Sequence, residues 1–389
     1  MSDTHNAASG ISPFSSALHA RRLLCAIVVF AALAPGILMT APAVAAQLAS
    51  EWQLSPARIG YLFSTELGGM SLATVPAWWW MRRISWRKVA LGAVGVFLLA
   101  NLLSAAVTRY EPLLLVRFAA SLAGGTLMIL CISCAAATAN PSRTYAFWVL
   151  GQLLLGIAGL LALPPLFAVV GLKAAYLGLA AIAALALPLV GAFPARFKAA
   201  ERGAAGKRVS LARRLQAVLA VLLFYISLSA IWTFIGGIGH DAGLTPVRSG
   251  QVLAAATLFG IIGAGAAALR GTGRRDSVPV LLGYTLLALS IILLADSPQL
   301  GRFALAALLF KFTWTFVLPF ILARVARLDR DGRLMNSINL VIGGGMALGP
   351  AIAGALLQHF PGTTALLAGA GLCAIASFIL IAAASAGRQ

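Results

Sequence analysis

Three ionisable side chains stand inside long apolar stretches of this chain: Glu66, Arg117 and Lys311. A charge in hydrocarbon is costly, so such residues mark ion pairs, proton relays or substrate contacts. Glu66 lies ten residues into its stretch, about 15 Å deep at about 1.5 Å per residue. Lys311 lies at similar depth, nine residues beyond Arg302, and Arg117 follows Pro112 by five and sits nearer one face. Two chemistries are open for the first pair. Glu66 and Arg117 can form a permanent tether between neighbouring segments. Alternatively, Glu66 takes a proton from one side and exchanges Arg117 as its partner during a conformational change. Lys311 with Arg117 would make an interior net positive, which suits a carboxylate or another small anion. Tyr225, Trp232, Phe234, Trp314 and Phe316 could line the same interior and fit an aromatic acid, or simply pack. Pro35-Gly36 and Pro42 flank Met39 and Thr40. Such an interruption either offers backbone groups to a substrate or is a packing kink.

The elements that hold these residues follow from composition. Hydrophobic residues make up 61% of the chain and charged ones 10%, against about a quarter charged in soluble domains. Twelve stretches are long enough to cross a hydrocarbon core: 23–46, 57–81, 89–107, 112–138, 145–170, 174–193, 215–238, 247–269, 278–295, 302–325, 335–358 and 363–385. Backbone polar groups in lipid must be satisfied within the segment, so each is a helix. The class is an all-α membrane protein. The net charge of +19 is a matter of topology, and no nucleic acid is expected. Assigning alternate connections to opposite sides puts 22 Lys and Arg with the termini and five on the other side. That asymmetry makes both termini cytoplasmic, and a bacterial inner membrane is the expected location. Arg21-Arg22 before an apolar run ending in Ala43-Val44-Ala45 imitates an export signal, but the run is too long and eleven more follow. Cys131 and Cys134 have CxxC spacing on an apolar helix without a nearby His or acidic cluster, so buried thiols are expected there. No phosphate loop, nucleophile elbow or metal-spaced His cluster is present, so neither an enzyme, a cofactor nor a metal is expected.

The chain is built twice. Leu54-Ser55-Pro56-Ala57-Arg58-Ile59-Gly60 returns 190 residues later as Leu244-Thr245-Pro246-Val247-Arg248-Ser249-Gly250, each at the entry to the second span of a half. Ser55 and Thr245 are N-cap candidates, the prolines suit a first helical position, and the glycines permit close packing. Residues 1–20 are expected to be a disordered cytoplasmic tail, 21–193 a six-helix lobe, 194–214 a basic linker and 215–386 a second lobe. Gly345, Gly349 and Pro350 in span 11, with Gly156 in span 5, are candidates for a sliding contact between lobes or for packing alone. Trp78-Trp79-Trp80 suits an interfacial belt.

Twelve spans divided six and six resemble the major facilitator superfamily, over essentially all of residues 21–385. Arg117-Phe118 followed by Ser121, Ala123 and Gly125 matches the size pattern of that family's fourth span, where glycines are usual. The loop Trp80-Met81-Arg82-Arg83-Ile84-Ser85-Trp86-Arg87-Lys88 carries the family's basic residues, Arg82, Arg83, Arg87 and Lys88, but lacks its glycine and acid. Drug antiporters of the family often have Gly-Pro in span 5; here the pair, Gly349-Pro350, is in span 11. The resemblance implies a secondary transporter that works by alternating access and places span 10, with Lys311, on the central cavity. A proton-driven carrier of a small organic anion, aromatic ones included, is the leading expectation, acting as a monomer in the bilayer. Efflux of hydrophobic drugs or metabolites is the alternative within transport, and a receptor or scaffold without flux is the alternative outside it.

Overall fold

The computed structural model describes residues 13–195, 211–271, 277–328 and 333–386. Fifteen α-helices and one 3-10 turn follow one another, and among the described residues there is no β-strand. The first span is three pieces, α1 (Pro13–Leu33), α2 (Gly36–Met39) and α3 (Ala41–Glu51); the second is two, α4 (Pro56–Leu72) and α5 (Thr74–Arg83). Single helices follow as α6 (Trp86–Ala106), α7 (Tyr110–Ala136) and α8 (Pro141–Val170), then α9 (Lys173–Ala186), which tightens into the 3-10 turn Leu187–Ala192. The second half comprises α10 (Leu211–Asp241), α11 (Pro246–Arg270), α12 (Ser277–Leu293), α13 (Leu300–Leu328), α14 (Arg333–His359) and α15 (Thr364–Ala386). Nine described helices are long and apolar enough to cross a membrane. With the shorter α12 and the two broken spans they make twelve crossings.

The breaks differ from the continuous spans read from hydropathy, and proline explains them. A proline has no N–H for the carbonyl four residues back, and its ring crowds that turn. Pro35 and Pro42 divide the first span, Pro76 bends the second after Leu72, and Pro188 lies where α9 becomes a 3-10 turn. Residues 13–20, expected to lack structure, are helical, because Pro13 suits a first turn and Ala- and Leu-containing sequence follows. The expected linker falls largely outside the described residues, as do residues 1–12 of the expected tail; α10 begins at Leu211, ahead of the hydropathy boundary. Both repeated heptapeptides form the expected caps. The Arg58 N–H donates to Ser55 Oγ at 3.4 Å and the Arg248 N–H to Thr245 Oγ1 at 3.3 Å, with proline at the first helical positions.

Helices α1 to α9 pack among themselves, as do α10 to α15, giving two lobes. The lobes meet through α4 on α14, α8 on α11, and α3 on α10. The closest approaches use glycine. A Cβ at Gly60 would overlap the Pro350 carbonyl, one at Gly250 the Leu160 carbonyl, one at Gly236 the Pro42 carbonyl and one at Gly354 the Pro56 carbonyl. All four contacts lie in the halves of the spans away from the termini, here called the far end. The α4–α14 contact continues to Gly343 beside Ser71, with the Ser64 hydroxyl donating to the Ala347 carbonyl. In contrast, α1, the terminal-side half of span 1, packs on α7, α8, α9 and the 3-10 turn of its own lobe. The lobes are therefore joined at the far end. Large apolar side chains such as Leu115, Val169, Leu185 and Leu269 are exposed, as a hydrocarbon solvent requires.

Candidate functional site

Glu66 and Arg117 meet. Glu66 is on the buried face of α4 and Arg117 on that of α7, 7% and 2% exposed. Arg117 Nε donates to Glu66 Oε1 at 2.6 Å, and Nη1 donates to Asn101 Oδ1 at 2.9 Å and Ser104 Oγ at 3.4 Å. The Tyr176 ring of α9 lies 4.8 Å from the guanidinium carbon. The cation is therefore held by four side chains from α4, α6 and α9. All belong to the first lobe. A cavity of about 10 Å³ beside the pair, lined in part by Pro35, Leu38 and Met70, has room for about one water molecule. A rigid rotation of one lobe against the other leaves every one of these contacts intact.

Lys311 is treated differently. It is 3% exposed on α13, and its ammonium lies 3.5 Å from the Trp232 ring centroid and 4.6 Å from that of Trp314. Trp314 is the next turn of the same helix, and Trp232 reaches across from α10. The two indoles stand at 89° with centroids 6.4 Å apart, so the cation sits in an aromatic corner. Phe310 extends it, edge-on to Trp314 at 6.0 Å. Arg117 has a carboxylate within ion-pair distance, and among the described residues Lys311 has none. Magnitudes show what this means. A desolvated cation–π contact is worth about 2 kcal/mol, while burying an ammonium costs several kcal/mol even after relaxation. The corner orients the cation without neutralising it.

Trp232 also reaches the other lobe. Its indole N–H donates to the Leu38 carbonyl at 2.8 Å. That carbonyl would be served by the residue-42 amide in an unbroken helix, and Pro42 has none. The other break is closed in the same way: Pro35 frees the Ala31 carbonyl, which accepts from Gln152 Nε2 at 2.9 Å. Each freed carbonyl thus has a side-chain donor, one from α8 and one from the opposite lobe.

The remaining candidates are scattered. Thr40 is buried, with its hydroxyl donating to the Gly36 carbonyl at 3.0 Å, and its methyl faces Gly159; Met39 packs on Gly156. Gly156 therefore serves α2 within the first lobe, and Gly345 and Gly349 serve α10 within the second, meeting Leu222, Tyr225 and Ser229. Of the candidate sliding group only Pro350 touches the opposite lobe, through Gly60. Tyr225, two turns before Trp232, packs edge-on to Phe224 at 5.6 Å. Phe316 stacks on Phe312 at 5.4 Å rather than joining the corner, and Phe234 lines a far-end cleft of about 320 Å³ with Asp241 and Leu366. In the basic loop, Arg82, Arg83, Arg87 and Lys88 are exposed. Arg87 Nε donates to the Phe193 carbonyl at 3.3 Å and Arg83 lies over Trp79 at 5.5 Å. Cys131 and Cys134 are buried free thiols, as expected. Asn101, Ser104, Tyr176 and Gln152 were not singled out from sequence. Asn101 and Gln152 are amides inside apolar spans, which is the signal that could have found them.

Two lobes of six crossings, joined at the far end and each holding buried charge, have the build of a membrane transporter. The family model for the Major Facilitator Superfamily matches residues 24–328, and the chain belongs to that superfamily. Solved structures agree on the fold. The nucleoside transporter NupG superposes with a TM-score of 0.68 at 14% identity, covering 94% of this chain and 98% of that one. The human organic anion transporter MFSD10 (TETRAN) gives 0.65 at 17%, covering 93% and 99%. A bacterial homolog of the human lysosomal transporter Spinster, inward-facing and occupied, gives 0.64 at 16%, covering 97% and 96%. No curated protein sequence matches.

Proposed function

We propose that this transporter carries a small organic anion across a bacterial inner membrane by alternating access, with both termini in the cytoplasm. The supporting observation is Lys311, a buried cation in an aromatic corner with no carboxylate partner among the described residues. A carboxylate on the substrate would supply the missing charge, and an aromatic or flat apolar body would suit the indoles. With the basic side as cytoplasm, lobes joined at the far end correspond to a state closed to the outside. We assign Glu66 and Arg117 to a fixed tether of the first lobe, because their partners all lie in that lobe. Proton coupling at Glu66 is the second reading. It requires a state in which the pair has separated, and the stability and the pH dependence of transport in Glu66→Gln decide between the two.

The test is flux. Purified protein in liposomes is offered radiolabelled acetate, benzoate, lactate and citrate under an imposed pH gradient. Uptake of one of them, falling roughly thirtyfold or more in Lys311→Gln, is the expected result, since losing one partner of a buried charge pair costs about 2 kcal/mol or more. Lys311→Arg should retain more flux than Lys311→Gln. No carboxylate flux, together with export of lipophilic cations unaffected by Lys311→Gln, would replace the assignment with drug efflux.

A further inference from the structure

Trp232 makes two contacts that belong to different parts of the machine. Its ring face carries the Lys311 ammonium at 3.5 Å, and its N–H caps the Leu38 carbonyl of the opposite lobe at 2.8 Å. The side chain is fully buried, so it cannot move independently of both. Immediately toward the far end, one turn on in α10, Gly236 lies against the Pro42 carbonyl. The Trp232 bond therefore adjoins the α3–α10 part of the lobe contact. We infer that Trp232 is the positioning residue that couples the Lys311 site to closure of the far end. Its trigger, though not the link itself, rests on the proposal that Lys311 receives an anion.

The physical steps are short. With no anion present, the ammonium has the two indole faces as its partners and holds the Trp232 ring in place. The ring in turn aims its N–H at a carbonyl that Pro42 has left without a helical donor. An arriving carboxylate offers the ammonium a charge-assisted hydrogen bond, which is stronger than its contact with the ring. The ammonium turns toward the anion, the ring loses its anchor, and the Leu38 carbonyl loses its side-chain donor. Binding at one lobe thereby weakens a bond to the other. The proline break is what gives this bond its leverage, because in an intact helix Leu38 would already be satisfied and Trp232 would add little.

The experiment reads far-end opening directly. Spin labels are placed at Thr108→Cys and Gln299→Cys, exposed far-end positions of the two lobes, in a background lacking the four native cysteines. The ratio of open to closed distances is measured in nanodiscs. Trp232→Phe keeps a ring for Lys311 and removes the N–H. It should raise the ratio about three- to tenfold, the worth of one net hydrogen bond. Lys311→Met should also raise it, and the double variant should go no further than Trp232→Phe alone, as expected for residues acting in series. In a Pro42→Ala background the restored backbone N–H serves Leu38, and the effect of Trp232→Phe should shrink below about twofold. A general packing role for Trp232 predicts no such rescue. An unchanged ratio in Trp232→Phe, two effects that multiply in the double variant, or an undiminished effect beside Ala at position 42 would each overturn the inference. The anion reading is judged separately, by adding acetate, benzoate or citrate to the wild type. A coupled cycle with no response to any of them removes that reading and leaves the Trp232 link standing.

Discussion

If Glu66 and Arg117 are a tether, neutralising Glu66 should damage stability and spare the pH dependence of transport. Glu66→Gln keeps the shape and an oxygen that can accept from Arg117 Nε, but it leaves a guanidinium 2% exposed without a counter-charge. Removing one partner of a buried pair costs about 3–5 kcal/mol, and the retained acceptor puts this variant near the lower end. At about 2–4 °C per kcal/mol for a unit the size of one lobe, the midpoint should fall by about 6–12 °C. The molecule supplies its own reporter. Cys131 and Cys134 are buried free thiols on α7, the helix that carries Arg117. A thiol-reactive fluorophore in a Cys25→Ser, Cys373→Ser background therefore reports unfolding of that lobe. Arg117→Met alone should be at least as harmful, because it strands the Glu66 carboxylate and also empties the contacts to Asn101 and Tyr176. Glu66→Gln with Arg117→Met should recover most of the loss, as when buried pairs are replaced by apolar groups of similar volume. The reasoning fails if Glu66→Gln melts with the wild type while the transport rate loses its dependence on pH. That result would make Glu66 a proton carrier, with an ion pair that opens in every cycle.

The lobe contact gives a second set of tests. Gly60→Val and Gly250→Val each drive a side chain into a carbonyl of the opposite lobe, and overpacking of about 1–3 kcal/mol should deplete the far-end-closed state roughly fivefold or more. Gly92→Val, where an added Cβ meets nothing within 4 Å, should be silent in the same spin-label assay. Ser55→Ala and Thr245→Ala each remove a helix cap and should cost about 1 kcal/mol. The two losses should add in thermal melts, since the caps lie in separate lobes. Gln152→Leu strands the Ala31 carbonyl freed by Pro35; a loss of about 1–3 kcal/mol in the thiol-reporter melt is expected.

What the sequence revealed tracks what hydrocarbon enforces. Twelve crossings were legible because each must be apolar for its length, and the repeated heptapeptide was legible because a cap, a proline and a glycine are needed at fixed positions. Glu66, Arg117 and Lys311 stood out for the same reason. Their partners did not. That Glu66 meets Arg117, and that Lys311 meets two tryptophans instead, depends on how helices are rotated about their axes, and an apolar helix surrounded by lipid and protein shows little periodicity to set that rotation. Gly345 and Gly349 illustrate the limit: small residues announce a close neighbour without naming it, and the neighbour is α10 of the same lobe. The breaks at Pro35 and Pro42 were visible, but the identity of the donors that repair them, Gln152 and Trp232, needed the third dimension.

The duplication makes the unequal treatment of charge meaningful. The heptapeptide glycines occupy equivalent places, each pressed on a proline-containing helix of the other lobe, Gly60 on α14 and Gly250 on α8. The frame is thus nearly symmetric where the lobes close. At the same offset, however, Glu66 corresponds to Ala256, Arg117 to Ala307 and Lys311 to Ser121. The first lobe carries a cation and an anion that cancel within it, so its electrostatics are the same whether the far end is open or closed. The second carries a lone cation against indoles, one of which bonds to the first lobe. In a machine whose halves otherwise match, the element that can respond to an arriving charge is the one left uncompensated. On the reading proposed above, the response belongs to Lys311, with Trp232 between it and the lobe contact.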